Sequence, residues 1–567
     1  MSYTFSLLSP GDSHIHRSLL KDVCCSVQTT SSSWEHWERT SSRNMLSILG
    51  KNGSETPEPV VAEVKGSLPV WLQGTLIRNG PGLFSVGSSQ YNHWFDGLSL
   101  IHSFTFCNGE VTYRSKFLKS DTYKRNIKAD RIIVSEFGTM IYPDPCKNIF
   151  SRTFTHLCNV VPDFTDNNLV NIIRYGRDYY ASSEVNYMNQ IDPDTLETVG
   201  RINYRNHIAL NLATAHPHYD DQGNTYNMGT SLMGPGPPRY IIFKVPADAP
   251  VSEKGRGKPA LSRVQKIGSI PFRSTLSPSY FHSFGMTENF FIFVEQPFKL
   301  DIVRLATAYF RGVNWGSCLR FDKDDITLFH VINRKTGRAV KTRFYSAALV
   351  VFHHLNAYEE DDHLVFDLIT YKDSSLYDMF YLQDLKTSSL SQSNESFHPP
   401  SCQRFVLPLS AHKESPRGIN LVTLTDTTAQ AVVQEDGSVF CQPDTVFIGL
   451  ELPGINYSFN TKKYRYFYGS RVEWSPHPNK IAKVDIVTRE HIEWTQDDCF
   501  PSEPVFVASP GAVEEDDGEF HRLIPAHSSR QTTFNLCLCL LRCDPVLRHL
   551  SRSKHLSLHA HPQRQEL

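Results

Sequence analysis

The chain reads as an all-β protein, a β-propeller made of many equivalent antiparallel modules, and three observations predict it. A unit of strand, acidic or polar turn, threonine and strand recurs along the sequence, at residues 189–198, 330–337 and 483–494. Asx residues and glycine in such turns suit hairpins, because they tolerate positive φ or bond to the local backbone. Aromatic residues form 12% of the chain, with 24 Tyr and 35 Phe, and such side chains pack well on a pleated face. Finally, 567 residues would ordinarily imply roughly three or four domains, yet no long Pro/Gly/Ser linker divides residues 60–515. Repetition of blades about one axis accounts for all three and leaves few exposed sheet edges.

Taken in order, residues 1–44 mix Ser, Thr, His and charges without a period and are expected to be a disordered extension. Residues 1–20 have neither a basic start nor an apolar core, and acids accompany the bases, so neither a secretory nor a transit segment fits. The propeller body is expected over residues 45–518. Within it the β pattern breaks once, where Phe150, Phe154, Leu157, Val160 and Val161 share one face at helical spacing between Asn148 and Asp163. That face reads either as a helix packed on the domain or as an interfacial patch that draws an apolar substrate from a membrane. Residues 519–567 read as a polar, His- and Arg-rich tail around one short apolar run at 536–541.

Composition excludes several classes. With 57 Lys and Arg against 59 Asp and Glu, the net charge is −2, so there is no electrostatic case for binding nucleic acid. No apolar run approaches the roughly 18–20 residues of a bilayer span. The twelve cysteines are scattered and read as reduced thiols, which points to the cytosol, with peripheral membrane contact left open. Cys537, Cys539 and Cys543 cluster in the tail, but no second pair follows at zinc-finger spacing.

Three histidines stand out from the 24 in the chain. His216, His282 and His353 lie in apolar, strand-like surroundings, 66 and 71 residues apart, and each precedes a strand-and-turn pattern (224–229, 289–295, 364–368). One histidine per β unit delivered to a shared point would form a transition-metal centre, since imidazole suits iron, copper, nickel and zinc. The alternative is three core histidines, each bonded to a backbone carbonyl. No general base accompanies them at the spacing of a zinc hydrolase.

Several runs carry a resemblance. Gly74-Thr75-Leu76-Ile77-Arg78-Asn79-Gly80-Pro81-Gly82, Asn92-His93-Trp94-Phe95-Asp96-Gly97, residues 143–150, Ala215-His216-Pro217-His218, Tyr280-Phe281-His282-Ser283-Phe284-Gly285 and residues 352–360 resemble the animal carotenoid cleavage oxygenases, over roughly residues 45–518. The resemblance implies a seven-bladed β-propeller with a helical and loop cap, and Fe(II) held on the axis by four histidines. Residues 295–319 and 464–486 look most like members that split β-carotene at its central 15,15′ double bond with O2, giving two retinal molecules. Carried over residue by residue, His216, His282 and His353 are three of the metal ligands, and Glu184, Glu451 and Glu503 are their outer partners. A ligating imidazole needs its second N–H held by an acceptor, commonly a carboxylate.

The chain departs from the pattern in two places. Met45 looks like the family's start, which leaves residues 1–44 unmatched. After Gly518 the family continues with closing strands and a His-Gly motif that supplies the fourth ligand, whereas here that motif is absent, and His521 and His527 stand in different settings. Eccentric carotenoid cleavage, retinoid isomerisation-hydrolysis and non-catalytic carotenoid or retinoid binding are the competing readings.

Overall fold

A computed structural model describes residues 51–65, 68–141, 165–232, 236–247, 260–386, 398–472, 480–495 and 501–528, with the short strands at 5–6, 531–539 and 557–559. Beyond residue 518 only the backbone is described. The helical face proposed for 148–163 and nearly all of residues 1–44 lie outside these residues.

The three turns singled out in the sequence share one geometry. Asp192, Asn333 and Asp485 each turn a side-chain oxygen back to accept from the amides two and three residues on, at 2.9–3.2 Å. The fourth residue on takes positive φ in each case: Leu196 at 59°, Gly337 at 67° and Arg489 at 64°. Its amide closes the turn onto the carbonyl of the Asx residue, at 2.8–2.9 Å. Local side-chain bonding of this kind is why Asx residues favour turns over ladders.

These hairpins build six sheets of four to six strands in chain order. The strands of each sheet pair mainly with sequence neighbours and in antiparallel fashion. The first strands of neighbouring sheets touch: Gly74–Leu83 meets Asn171–Tyr175, Gly285–Met286 meets Val350–Glu360, and the latter meets Leu450–Gly454. The core is therefore divided among the gaps between sheets. Ile77 and Ile101 pack on Ile172 and Ala181; Ile173 and Tyr180 on Ile241 and Phe243. Met228 and Ile242 pack on Phe291 and Phe293, Val294 and Phe329 on Phe366 and Phe405, and Tyr358 and Val365 on Phe467 and Val484. The protein is an all-β propeller. No described helix is long and apolar enough to cross a membrane.

The backbone after Gly518 differs from the sequence expectation of a tail without closing strands. Gly518–Ser528 pairs with Val505–Ala508 and with Gln531–Cys539, forming a three-stranded sheet. Phe534, Leu536 and Leu538 alternate with Asn535 and Cys537 as a strand requires, whereas the run before them, with Phe520 and Leu523 three apart and Pro525 inside it, carries no such pattern. This sheet lies between the sixth and the first. Phe506 stacks on Tyr468 at 5.9 Å, and Val507 joins the cluster of Leu76, Phe104 and Phe106.

A buried ion pair within the fifth sheet is tied to the segment that leads into the strand Tyr466–Arg471 of the sixth. Arg404 donates to both oxygens of Asp367 at 2.9 and 2.8 Å, and the Tyr464 hydroxyl adds a third bond at 2.7 Å. Removing one partner leaves a buried charge uncompensated. Arg404→Leu is expected to cost about 3–5 kcal/mol in urea unfolding, and adding Asp367→Leu to recover much of that loss.

Candidate metal centre

Each of the three histidines sits where the regular ladder stops. His216 falls between the short strands Leu212–Ala213 and His218–Tyr219, and His282 precedes Gly285–Met286. His353 lies in Val350–Glu360 where the pairing register shifts between Val351 and His354. Irregular backbone of this kind re-aims side chains that a straight strand would send into the inter-sheet core.

The result is a cluster. One ligand atom from each of His216, His282 and His353 lies within 4.8 Å of the others. The Nε2 atoms of His216 and His282 are 2.8 Å apart, and the ring of His353 stands nearly perpendicular to both, at centroid distances of 5.5 and 4.9 Å. His218 and His354, adjacent in sequence, are engaged elsewhere: His218 Nε2 contacts the Phe284 carbonyl at 2.8 Å, and His354 Nδ1 contacts Ser283 Oγ at 2.8 Å.

Carboxylates hold the rear of two rings. Glu184, in the turn between Asp178–Ser182 and Tyr187–Ile191, accepts from His282 Nδ1. Glu451, in Leu450–Gly454, accepts from His353 Nδ1 at 2.7 Å. Hydroxyls steady both acids: Tyr280 donates to Glu184 at 2.9 Å and receives from Tyr377 at 2.7 Å, while Tyr371 donates to Glu451 at 2.7 Å. Glu503 is buried at the start of the three-stranded sheet, and its carbonyl accepts from Arg78 at 2.6 Å. The resemblance gave the acids a role but gave none to these tyrosines, whose partners lie 80 to 97 residues away.

The electrostatics favour neutral imidazoles. Burial lowers His353 to about 4 against the opposing pull of Glu451, and burial places His216 well below its ordinary value. Burial would raise Glu451, but the neighbouring His353, the Leu452 amide and Tyr371 more than offset it, so the carboxyl sits below its usual range. In a neutral ring, Nδ1–H directed at a carboxylate leaves the lone pair on Nε2, which is the geometry of His282 and of His353. Two nitrogens bonded at right angles to one ion with bonds of about 2.1 Å would be about 3 Å apart, close to the 2.8 Å between His216 and His282. The donor set thus fits a divalent transition metal, which would relieve the contact between two basic nitrogens.

Fold and site together define a class: a β-propeller whose innermost strands gather imidazoles at one point, backed by carboxylates. Comparison with known proteins gives the family. The sequence profile described as retinal pigment epithelial membrane protein, RPE65, matches residues 50–538, and the chain belongs to this family, that of the carotenoid oxygenases. It is 54% identical over 494 residues to the beta,beta-carotene 15,15'-dioxygenase of Gallus gallus, covering 87% of this chain and 93% of that protein. It is 53% identical over 491 residues to the Homo sapiens protein of the same name, with 87% and 89% covered. The carotenoid-cleaving dioxygenase, mitochondrial, of Homo sapiens is 40% identical over 496 residues, with 85% and 84% covered. Among solved structures, a variant of Synechocystis apocarotenoid oxygenase superposes with a TM-score of 0.69 at 22% identity, covering 91% of this chain and 96% of that one. At that identity the likeness establishes the fold.

Buried neutral histidines also set the acid sensitivity of the metal-free protein. His93, lowered to about 4 by burial, and His102, lowered to about 4 by burial and then by Arg78, behave like His353. Between pH 6.5 and 4 the unfolded chain binds protons that these folded sites exclude, so stability falls as pH falls. Each contributes about 1.4 kcal/mol per pH unit in that window. Asp96, raised to about 6 by burial, opposes one of them. Urea midpoints of the metal-free protein are expected to drop steadily from pH 6.5 to 4.

Proposed function

We propose that the chain is an Fe(II)-dependent dioxygenase that splits β-carotene at its 15,15′ double bond with O2, giving two molecules of retinal. The observation that carries this reading is the convergence of His216, His282 and His353 within 4.8 Å, in a chain 52–54% identical to proteins named beta,beta-carotene 15,15'-dioxygenase. The lower identity, 40–41%, to proteins named carotenoid-cleaving dioxygenase favours central cleavage over the alternatives.

In this reading His216, His282 and His353 hold the iron, and Glu184 and Glu451 set the tautomer and aim of two of the rings. Iron held by neutral ligands supplies a site at which O2 is activated beside the substrate. The protein's remaining work is positional. Tyr280, Phe298, Phe352 and Tyr377 pack ring on ring beside His282, with Phe352 at 6.0 Å from its imidazole. Beyond them opens a cavity of about 120 Å³ whose lining mixes Phe137, Phe298, Leu319, Tyr377 and Tyr381 with Ser317, Ser374 and Asp378. The aromatic rings beside His282 are the surface against which one double bond of a rigid polyene is fixed at the reacting centre. The outcome is two aldehydes, one oxygen atom on each.

The finer architecture belongs to the same reading. The three-stranded sheet from Val505 is the seventh blade; what supports this is its packing against both the sixth and first sheets. The helices Ile302–Arg311, Ser375–Met379 and Leu382–Lys386 supply a cap. Residues 45–518 together with the strands that run to Cys539 form the catalytic body, preceded by an extension and followed by an atypical tail. The cytosol is the proposed compartment, in keeping with the free thiols of Cys107, Cys318, Cys402 and Cys441, and a peripheral membrane contact supplies the carotenoid.

The test is iron content together with retinal formation from β-carotene, on this chain beside a version given a family-type C-terminus after Gly518. Stoichiometric iron and retinal from both supports the reading in full. Activity only in the restored version makes this chain an inactive product of an oxygenase gene, and neither iron nor retinal in either sinks it. His282→Ala is expected to abolish stable iron binding; unchanged occupancy would remove that residue from the ligand set.

A further inference from the structure

An innermost propeller strand has an axial edge with no further strand to pair with, and the ligand segments are interrupted strands. Their amides and carbonyls need partners from somewhere. Two hydroxyls supply them, and both act between sheets. Thr214 Oγ1 accepts from the His216 amide at 3.1 Å, within its own segment, and donates to the carbonyl of His282 in the next sheet. Ser283, adjacent to His282, repeats the device one sheet further on. Its Oγ donates to the Phe352 carbonyl at 2.6 Å and accepts from the His354 amide at 3.1 Å.

The Ser283 hydroxyl is fully used, and that of Thr214 both donates and accepts. A serine carries one proton and two lone pairs, so with the proton on Phe352 the 2.8 Å contact to His354 Nδ1 is a second acceptance. Ser283 thus grips the backbone on both sides of His353. Thr214 in turn grips one ligand by its amide and the next by its carbonyl. Thr214 is 2% exposed and Ser283 9%, so no bulk water competes for these groups. Asn171 continues the pattern backwards, donating to the Ala215 carbonyl at 2.6 Å from the second sheet.

We propose that Thr214 and Ser283 are positioning residues of the metal centre, their hydroxyls fixing the three ligand-bearing segments to one another across the gaps between sheets. The carboxylates Glu184 and Glu451 set how two imidazoles rotate; the hydroxyls set where the backbone beneath each imidazole sits. This rests on the metal-centre reading above and adds to it a cause for the mutual placement of the ligands.

The test compares the iron-loaded parent with Thr214→Val, Ser283→Ala and the conservative Thr214→Ser. Iron release to a chelator, the iron X-ray absorption edge and the unfolding midpoint of the metal-free form are measured together. Thr225→Val serves as the reference: its Oγ1 bridges to the Arg174 carbonyl at 3.1 Å, also between sheets, but away from the ligand segments. Thr214→Val and Ser283→Ala are expected to release iron about 10–100 times faster than the parent, in line with other losses around a ligand set, with an altered edge. Thr214→Ser should keep the parent's rate and edge, and Thr225→Val should lower the midpoint without changing release.

Release at the parent rate from both Thr214→Val and Ser283→Ala overturns the proposal, as does equal acceleration by Thr225→Val, which would mark general loosening. Ser283→Cys keeps the volume while weakening donor and acceptor, and covers the case of variants that do not fold: faster release supports the proposal and parent-like release overturns it. A parent chain that binds no iron overturns the metal-centre reading itself, a result distinct from parent-like variants on a loaded protein.

Discussion

Neighbouring sheets meet along their innermost strands, and in the second to sixth sheets that strand ends the ladder, so its axial edge has no strand partner among the described residues. Satisfying those edges without water is the constraint on which the rest of the structure depends. Side chains do it, and they are short and polar. Asn79 reaches the Asn168 carbonyl at 2.8 Å, Gln296 spans from the Tyr280 carbonyl to the Val351 amide and carbonyl, and Asn356 holds the carbonyls of Phe459 and Lys462 at 2.9 Å. Each bond joins one sheet to another or to the loop that leads into it. The apolar packing between sheets supplies the bulk of the cohesion, and these bonds set the register in which the sheets meet.

The same constraint explains why a polar cluster can sit in so apolar a molecule. A buried carboxylate is costly unless its lone pairs are filled. Glu451 receives His353, Tyr371 and its neighbouring Leu452 amide, and Glu184 receives His282 and Tyr280. Three buried imidazoles are costly when charged, so burial keeps His216 and His353 neutral, the form in which imidazole ligates a metal. Positive φ at Leu452, 52°, accompanies the bend that turns Glu451 inward. A non-glycine residue held there is the sort of local strain that accompanies a site.

What the sequence revealed depended on how far a feature's partners lie along the chain. The Asx turns at 192, 333 and 485 were legible because donor and acceptor are two or three residues apart. The strands after each histidine were legible from apolar runs, and they occur as Thr225–Ser231, Phe290–Glu295 and His363–Tyr371. The histidines themselves drew attention by composition, while their meeting is a property of ring closure that no local spacing encodes. Glu184 and Glu451 each stand 98 residues from their histidine, and entered only by resemblance. Thr214 and Ser283 carry no signal at all, since a buried threonine or serine next to a strand is ordinary. The strand from Gly518 was missed because its residues match no family motif; its pairing with Val505–Ala508 depends on backbone, to which any compatible alternation is acceptable.

The wide separation of the three histidines also bears on the order of events as the chain folds. Each hairpin closes over a few residues, but bringing His216 to His282 encloses 66 residues, and the entropic cost of closure grows with the logarithm of that length. Hairpins therefore assemble early, and the axial cluster exists only once consecutive sheets have docked. A partly folded chain offers a metal scattered single imidazoles with no shared grip, so tight capture is confined to the finished ring. Metal bound there would add its binding free energy to the native state alone. A metal held there would act in this way as a late checkpoint on assembly, drawing the equilibrium toward chains whose ring has closed and leaving misassembled ones empty.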